Sequence, residues 1–469
     1  MKKRKWASLL LVILLSVFPL VACNTNEDGQ TQDDSQNGEA GSATDAVQVD
    51  FWAAPNQEQY DFWSSKAKDF NESEENASKY EVVVQKMPET PSSEAGIQNS
   101  IVTGTVPAIS ENINIGFAAT LADSEAIYDL QDEEWFQDIV ANRDMSETLK
   151  GWEIDGKQYV IPMYVNPMLW QWNIKALNAL GFENVPETMA ELEDVIAAFV
   201  EQRDTTMQDM GVTHIFYRPS LQRSDQWWDR WHDFQMPYQA LTQGKTWVEG
   251  NELTLDREGA IEAFEFIGRF GDGILTTELT NLWTQDNPSV LLTVNAPWEI
   301  NLLREAGKEY GVDFEYGPSI VKEKGDIPYC YADAKGLVLY KNDSISEEEH
   351  QGAVEFLKYI FAEDTSAQTD LEWLDATSML PVRGDLQENE VFSDKFAEHP
   401  ELEFLAGNVP YAVPSMAHPD MADIQTALTE VGMSPYVDAA MQTEPNNPPA
   451  ADEYIDAAIA AMKEAGNLY

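Results

Sequence analysis

The sequence predicts an α/β fold of parallel sheets flanked by helices, and three observations lead to this prediction. The segment 47–52 alternates apolar and polar residues as a half-buried strand does. A helical pattern follows, in which Tyr60, Trp63, Ala67 and Phe70 share one face. The same alternation of strand and helix recurs along the chain, and such alternation favours parallel sheets. The 469 residues are enough for two or three domains.

Each predicted element has its own local signal. Asn56 with Gln59, Thr188 with Glu191 and Ser346 with Glu349 have the spacing of helix N-caps, and Gly307 is a helix stop. The predicted strands are 47–52, 80–84, 107–115, 168–173 and 290–294. The predicted helices are 56–70, 97–102, 188–200, 256–270, 298–306, 346–361, 421–431 and 452–465.

The first residues have the pattern of an export signal. A basic start at 2–5 precedes an apolar run at 6–21, which is too short for a good transmembrane helix. The ending Leu-Val-Ala-Cys resembles the lipobox of bacterial lipoproteins. The resemblance implies a signal peptide over 1–22 and a lipid on Cys23 that holds the protein at the outer face of the cell membrane. The alternative is an ordinary secretory signal with an incidental cysteine. Residues 23–45 are polar, which indicates a flexible tether.

The charge of the chain excludes one class of partner. The formal net charge is −53, from 82 acidic and 29 basic residues. No basic stripe could neutralise phosphates, so nucleic acid is excluded as a partner. A protein this acidic repels itself in dilute salt, which favours a monomer and an organism of saline or alkaline habitat. With Cys23 lipidated, Cys330 has no partner for a disulfide.

No catalytic or cofactor motif is present in the sequence. There is no Gly-rich phosphate loop, no nucleophile elbow and no His-Glu-x-x-His zinc motif. The five histidines are scattered, so we expect no catalytic residue, no metal and no cofactor. Carboxylates are abundant, however, and a carbohydrate-active enzyme with paired carboxylates stays open as an alternative.

The tryptophans suggest a ligand class. Trp52 ends the first strand, and ligands of α/β proteins bind beyond the carboxyl ends of strands. Trp228 and Trp231 lie in an aromatic segment with Asp and Arg neighbours, and Trp298 stands at a helix start. Aromatic rings beside hydrogen-bonding groups suit sugars, because the ring covers the apolar face and the polar groups take the hydroxyls.

Short segments spread along the body carry a resemblance to a known family. They are Gly-Thr-Val-Pro-Ala at 104–108, Asp-Gly-Lys-Gln-Tyr-Val-Ile-Pro at 155–162, Trp-Asn-Ile-Lys at 172–175, Val-Pro-Glu-Thr-Met-Ala-Glu-Leu at 185–192, Asn-Ala-Pro-Trp at 295–298 and Leu-Pro-Val-Arg at 380–383. Together and in this order they resemble the extracellular solute-binding proteins of ABC importers, family 1, the carbohydrate group related to maltose-binding protein. Ala108 stands where that family usually has Asp.

The resemblance implies a two-lobed periplasmic-binding-protein-like fold, each lobe a mainly parallel sheet flanked by helices. The N-terminal lobe would hold 46–160 and about 332–385, and the C-terminal lobe 161–331 and about 386–469. A sugar or oligosaccharide would bind in the cleft between the lobes and pass unchanged to the permease subunits of an ABC importer. A peptide or polyamine as solute is the second alternative.

The resemblance also assigns candidate ligand contacts. Trp298 is the first stacking candidate, with Trp52 and Tyr164 next; for Glu111, Asn112 and Asp333, loop solvation or capping is an equal alternative. The complete set is Trp52, Asn56, Glu111, Asn112, Tyr164, Asn166, Trp228, Trp231, Trp298, Asp333 and Arg383.

Overall fold

The computed structural model describes residues 46–76, 78–88, 92–217, 227–273, 275–276 and 288–469, with backbone alone at 217, 227–233 and 275–276. The predicted signal peptide, Cys23 and the tether lie outside these residues. None of the described helices combines the length and apolar character that a membrane crossing requires.

Thirteen strands are found in the described residues. They are β1 (Val47–Ala53), β2 (Tyr80–Lys86), β3 (Ile109–Ile113), β4 (Glu153–Ile154), β5 (Lys157–Gln158), β6 (Ile161–Pro167), β7 (Leu169–Asn173), β8 (His214–Tyr217), β9 (Leu275–Thr276), β10 (Val290–Asn295), β11 (Phe314–Gly317), β12 (Cys330–Leu339) and β13 (Ala412–Val413). The predicted strands at 47–52, 80–84, 107–115, 168–173 and 290–294 are confirmed as β1, β2, β3, β7 and β10.

The α-helices of the described residues connect and cover these strands. They are α1 (Gln57–Glu72), α2 (Ser93–Thr103), α3 (Ile115–Asp123), α4 (Glu134–Asn142), α5 (Ile174–Ala179), α6 (Met189–Gln202), α7 (Gln208–Met210), α8 (Trp227–Thr242), α9 (Arg257–Gly268), α10 (Ile300–Glu305), α11 (Glu347–Ile360), α12 (Ser366–Thr377), α13 (Glu390–Glu398), α14 (Pro400–Asn408), α15 (Met421–Ala427), α16 (Ser434–Ala440) and α17 (Asp452–Ala465).

The predicted helix caps are present. The Asn56 side chain accepts a hydrogen bond from the Gln59 amide at the start of α1. Thr188 and Glu191 form a reciprocal capping box at α6, and Ser346 caps α11. Each cap satisfies backbone N–H groups that the first turn of a helix leaves without partners, which is why these local signals fix the helix starts.

Two main sheets organise the body. The first has the order β13-β12-β3-β1-β2, with β6 also paired to β12. The second has the order β11-β7-β10-β8-β9. Within the first sheet β1 is parallel to β2 and β3, but β12 is antiparallel to β3 and β6. In the second sheet β8 is parallel to β10, and β7 is antiparallel to both of its neighbours. The sheets are therefore mixed, with the antiparallel strands where the chain passes between them.

Each sheet has its own buried core. Phe51, Trp63 and Phe356 belong to the core on one face of the first sheet. Trp170 and Phe264 belong to the core of the second. The chain passes between the sheets at Met168, whose amide donates to the carbonyl of Tyr331, and again between β11 and β12 and after β13.

The backbone pairing places β6 in the first sheet, because it pairs with β12 from Ile161 to Pro167. The expected boundary after Val160 therefore falls short of the point where the chain leaves this sheet. Past the expected boundary at 385, β13 also pairs with β12, and α15 and α17 cover the second core.

Candidate functional site

A double irregularity in the first sheet marks the centre of the candidate site. The register between β12 and β3 shifts between Gly336 and Val338, which leaves Glu111 and Asn112 opposite a single residue of β12. The register between β12 and β6 shifts at the neighbouring step, between Lys335 and Gly336. Asn112 has a φ of 64°, a left-handed conformation that Asn tolerates better than most residues. Such bulges re-aim side chains and are common beside functional sites.

The strands leave no room for a side chain at Gly336. A Cβ there would lie 2.6 Å from Cγ1 of Val160 and closer still to the carbonyl oxygen of Ile161. The backbones of β12 and β6 therefore approach each other closely at this point. Glycine is the residue type that permits such an approach.

Six polar side chains surround the double bulge, and we call them the bulge cluster: Glu111, Asn112, Tyr164, Asn166, Asp333 and Lys335. The sheet register pairs Lys335 with Tyr164 and Asp333 with Asn166. The Tyr164 hydroxyl donates to Oδ1 of Asn112 over 3.0 Å, which links β6 to β3 across β12. The structure thus brings five of the predicted residues together beside the chain crossing at Met168.

Glu111 is fully buried in this cluster. The backbone N–H of Ala54 donates to its Oε1 at 2.7 Å, and the side-chain amide of Gln59 donates to its Oε2 at 2.8 Å. Burial raises the pKa of Glu111 to about 7, against the hydrogen bonds from Ala54 and Gln59 and the charge of Lys335. The carboxyl group therefore exchanges its proton near neutral pH.

Lys335 is the cluster member that sequence reasoning missed. Its ammonium nitrogen lies 3.7 Å from Oδ1 of Asp333, and its side chain is 26% exposed. The run Cys-Tyr-Ala-Asp-Ala-Lys-Gly-Leu-Val-Leu at 330–339 holds the signal that could have found it, because its two charges are spaced two apart in an otherwise apolar strand. That spacing places Asp333 and Lys335 on one face of β12.

Tyr164 and Asn166 are buried members of the cluster, like Glu111. The ring of Tyr164 stacks on Trp373, with centroids 5.6 Å apart and an angle of 18° between planes. Burial raises the pKa of Tyr164 well above its usual range. Asn166 accepts the amide of Leu380 at 3.2 Å, and its Nδ2 donor has no partner among the described residues. One buried hydrogen-bond donor is thus left over at this position.

Trp298 lies between the two sheets. Its half-buried ring packs against the cores of both the first and the second sheet. It stands in a 3₁₀ turn directly after β10. The Asn295 side chain fixes this turn, since it accepts the Ala296 amide at 2.9 Å and donates to Glu299 at 2.8 Å. A ring held by both cores is well placed to contact a molecule that both lobes touch.

Trp52 and Asn56 lie on either side of the turn between β1 and α1. Trp52 is half-buried and packs against a third apolar cluster that includes Phe117 and Val338. Asn56 is exposed, and its Oδ1 accepts the Gln59 amide at 2.9 Å as the cap of α1. Capping accounts for the local role of Asn56, while its contact with a ligand stays a prediction.

Arg383 lies in a different environment. Its guanidinium donates to Asp385 at 2.8 Å and to Asp370 at 3.1 Å, and its side chain is 3% exposed. These partners hold it in the interior of the first lobe, so the structure gives it a scaffold role, and its predicted ligand contact is untested. Trp228 lies in α8 with Trp231, but their side chains are outside the described atoms.

The described residues contain no group of three or more His, Cys, Asp and Glu placed to hold a metal ion. Cys330 is buried, and burial raises the pKa of its thiol above the usual range. The candidate site consists of tryptophan rings, amides, a tyrosine, the two carboxyl groups of Glu111 and Asp333, and one lysine. Such groups can hold a polar molecule with an apolar face.

Two α/β sheets, joined by chain crossings and by an apolar cluster that includes Leu169 of β7 and Cys330 of β12, match the class of two-lobed binding proteins. A model of the family described as bacterial extracellular solute-binding protein matches residues 66–403. The chain belongs to this family. No curated protein matches the chain.

Solved structures show the same fold. An uncharacterized protein of Listeria monocytogenes EGD-e is 32% identical, covers 90% of this chain and 99% of its own, and has a TM-score of 0.73. The cyclic α-maltosyl-1,6-maltose binding protein of Arthrobacter globiformis is 16% identical over 90% of this chain and 99% of its own, with a TM-score of 0.68. The maltose-bound MalE3 of T. maritima is 16% identical over 89% and 100%, with a TM-score of 0.67.

Proposed function

We propose that the protein captures a sugar or oligosaccharide between its lobes and delivers it to the permease of an ABC importer. The observation that carries this proposal is the position of Trp298, whose ring packs against the cores of both sheets. A solute stacked on this ring would contact both lobes. It would therefore bind the closed form better than the open form and shift the population toward it.

The bulge cluster supplies candidate partners for hydroxyls. Asn112 and Lys335 retain exposed surface, whereas Tyr164 and Asn166 lie beneath them and fix their surroundings. An amide offers both donors and acceptors, and a lysine offers donors. We assign direct contact to Trp298, Trp52, Asn112 and Lys335. The neighbours named for a cyclic maltose derivative and for bound maltose support an α-linked glucose oligomer as the first solute to test.

The proposed place of action is the outer face of the cell membrane. The family is extracellular, and the basic start, the apolar run and Cys23 fit a lipid anchor. A Cys23→Ala variant expressed in a bacterial host tests the anchor. We expect the variant to leave the membrane fraction; retention there at the level of the unchanged protein contradicts the anchor.

A thermal-shift screen with product analysis tests the function. We expect maltose, maltotriose or a cyclic oligosaccharide to raise the melting temperature of the protein, because a ligand that binds only the folded state stabilises it. The sugar should be recovered intact by chromatography. If no sugar raises the melting temperature but a peptide or polyamine does, the solute is that peptide or polyamine and not a sugar.

The hydrolase alternative has less support from the site. A glycosidase needs two carboxyl groups free to act on the bond, one as an acid. Both oxygens of Glu111 already accept hydrogen bonds from Ala54 and Gln59, and Asp333 lies beside Lys335. Release of shorter sugars by the purified protein would nevertheless establish the enzyme.

A further inference from the structure

Glu111 lies against the turn between β1 and α1. Glu111 has no exposed surface. Its two oxygens reach different parts of the same turn, one at the Ala54 amide and one at the Gln59 side chain in the first turn of α1. Glu111 therefore joins β3 to the backbone that follows Trp52 and to the start of a helix.

The turn depends on this carboxyl group for its hydrogen bonds. Ala54 is almost fully buried, and a buried backbone N–H without an acceptor costs free energy. The bulge in β3 is what places Glu111 there, because the extra residue lets Asn112 face Tyr164 while Glu111 faces the turn. One bulge thus directs two adjacent side chains to different partners: Asn112 to Tyr164, and Glu111 to Ala54 and Gln59.

We propose that Glu111 is a positioning residue, which governs solute affinity by holding the turn that follows Trp52 and does not touch the solute itself. The predicted effect on solute affinity rests on the proposed function. The predicted effect on the turn can be measured in the protein without any solute. This role differs from the expectation that Glu111 contacts a ligand hydroxyl.

The charges around Glu111 decide how the turn responds to pH. From β12, Lys335 and Asp333 face the cluster; from β6, Tyr164 does; from α1 the neighbours are the uncharged Gln59 and Trp63. The charged carboxylate accepts from both donors, whereas a protonated carboxyl must turn one oxygen into a donor. Gln59 can meet that change only by turning its amide, which breaks the hydrogen bond that its Oε1 accepts from Asn56, whereas the other carboxyl oxygen can still accept from Ala54.

The test measures hydrogen exchange at the Ala54 amide and maltotriose affinity in the purified full chain. The variants are Glu111→Gln, whose single side-chain oxygen can still accept from the Ala54 N–H, and Glu111→Ala, which removes both acceptors. Glu401→Gln is the matched control, because Glu401 is a buried carboxylate in α14 that pairs with Arg304 away from the turn.

We expect Glu111→Ala to raise Ala54 exchange and weaken maltotriose binding by about tenfold each, as the loss of one buried hydrogen bond predicts. Glu111→Gln should restore both to within about twofold, and Glu401→Gln should change neither.

Two results overturn the inference. Weaker binding in Glu111→Ala with unchanged Ala54 exchange would mean that Glu111 contacts the solute directly. Unchanged exchange together with unchanged binding would mean that the turn does not need it. If Glu111→Ala fails to fold, Glu111→Gln decides, since loss of binding there with a protected Ala54 amide also indicates direct contact. Maltotriose that fails to bind the unchanged protein contradicts the proposed function, while Ala54 exchange still tests the positioning.

Discussion

Two buried carboxylates in the first lobe, Asp370 and Glu111, have the same burial but opposite surroundings. Neither has exposed surface. Asp370 lies between two guanidinium groups, with both oxygens accepting from Arg143 at 2.9 Å and one also from Arg383 at 3.1 Å. Glu111 accepts from uncharged donors, the Ala54 amide and the Gln59 side chain.

Asp370 belongs to a network that holds the scaffold of the lobe, whereas Glu111 belongs to the candidate site. Arg143 also donates to the carbonyls of Pro162 and Met163, so the Asp370 network ties α12 and α4 to the start of β6. Paired guanidinium–carboxylate hydrogen bonds of this kind are strong and directional, which suits a scaffold. Glu111 lacks a guanidinium partner, and its charge responds to pH where the solute is proposed to bind.

Loss of the Asp370 charge should give the largest effect. Asp370→Asn would leave two buried guanidinium groups without their shared counterion, which costs about 3–5 kcal/mol in comparable buried pairs. Chemical denaturation measures the free energy of unfolding. The control is Glu372→Gln on the same helix, whose 41% exposed side chain pairs with Lys66 and should matter by less than about 1 kcal/mol. Equal effects of the two substitutions would contradict the comparison.

The pH dependence of stability should come next, through Glu111. Its folded pKa of about 7 lies above the model-peptide value of 4.5, so the folded state holds a proton that the unfolded state loses. The stability that this proton contributes is present below about pH 4.5 and is lost as the pH rises through about 7. The difference in pKa corresponds to about 3 kcal/mol. Glu111→Gln should remove this part of the pH profile.

The measurement is the free energy of unfolding of both proteins between pH 4.5 and 8. The unchanged protein should lose stability relative to Glu111→Gln as the pH rises across this window. Glu58→Gln, a change at an exposed carboxylate of α1, serves as the control and should follow the unchanged protein. Parallel profiles for Glu111→Gln and the unchanged protein would show that the Glu111 pKa is not raised.

The double bulge that aims Glu111 can be tested at Gly336. Gly336→Ala would force a Cβ to within 2.6 Å of Val160 and against the Ile161 carbonyl, and overpacking of this kind costs about 1–3 kcal/mol. Gly407→Ala in α14 is the control, because a Cβ there meets no atom within 4 Å. Gly407→Ala should be neutral or stabilising. Equal stability of the two variants would show that β12 can move away from β6.

The sequence predicted local structure better than the site. Asn56, Thr188 and Ser346 were identifiable because a cap acts within four residues of itself. The bulge was not, because it arises from the register among β3, β6 and β12, which are far apart in the chain. Lys335 stands two residues from Asp333 in β12, but only the pairing of β12 with β3 and β6 brings this charge pair to Glu111 and Tyr164.

The same limit applies to the lobe boundaries and to Arg383. Hydrophobic pattern predicted a strand near 168–173, but only pairing with β12 shows that the chain before Pro167 belongs to the first sheet. Arg383 stands in a segment that resembles a family motif. The sequence could not show that its guanidinium forms ion pairs with Asp370 and Asp385. Local periodicity predicts contacts between residues close in the chain, such as helix caps, but not contacts between residues far apart in the chain.

The smallest expected effect concerns affinity, at the ring that both lobes share. Trp298→Ala should weaken maltotriose binding by about 1–2 kcal/mol, roughly tenfold, because it removes the stacking face. Trp298→Phe keeps an aromatic face and should retain most of the affinity. Titration of intrinsic fluorescence or calorimetry measures both.

Since Trp298 packs on both cores, the stability of each variant must be measured alongside. A loss of affinity in Trp298→Ala without loss of stability assigns the ring to the solute. Equal affinity of Trp298→Ala and the unchanged protein would move the stacking site elsewhere and leave the bulge cluster as the remaining candidate.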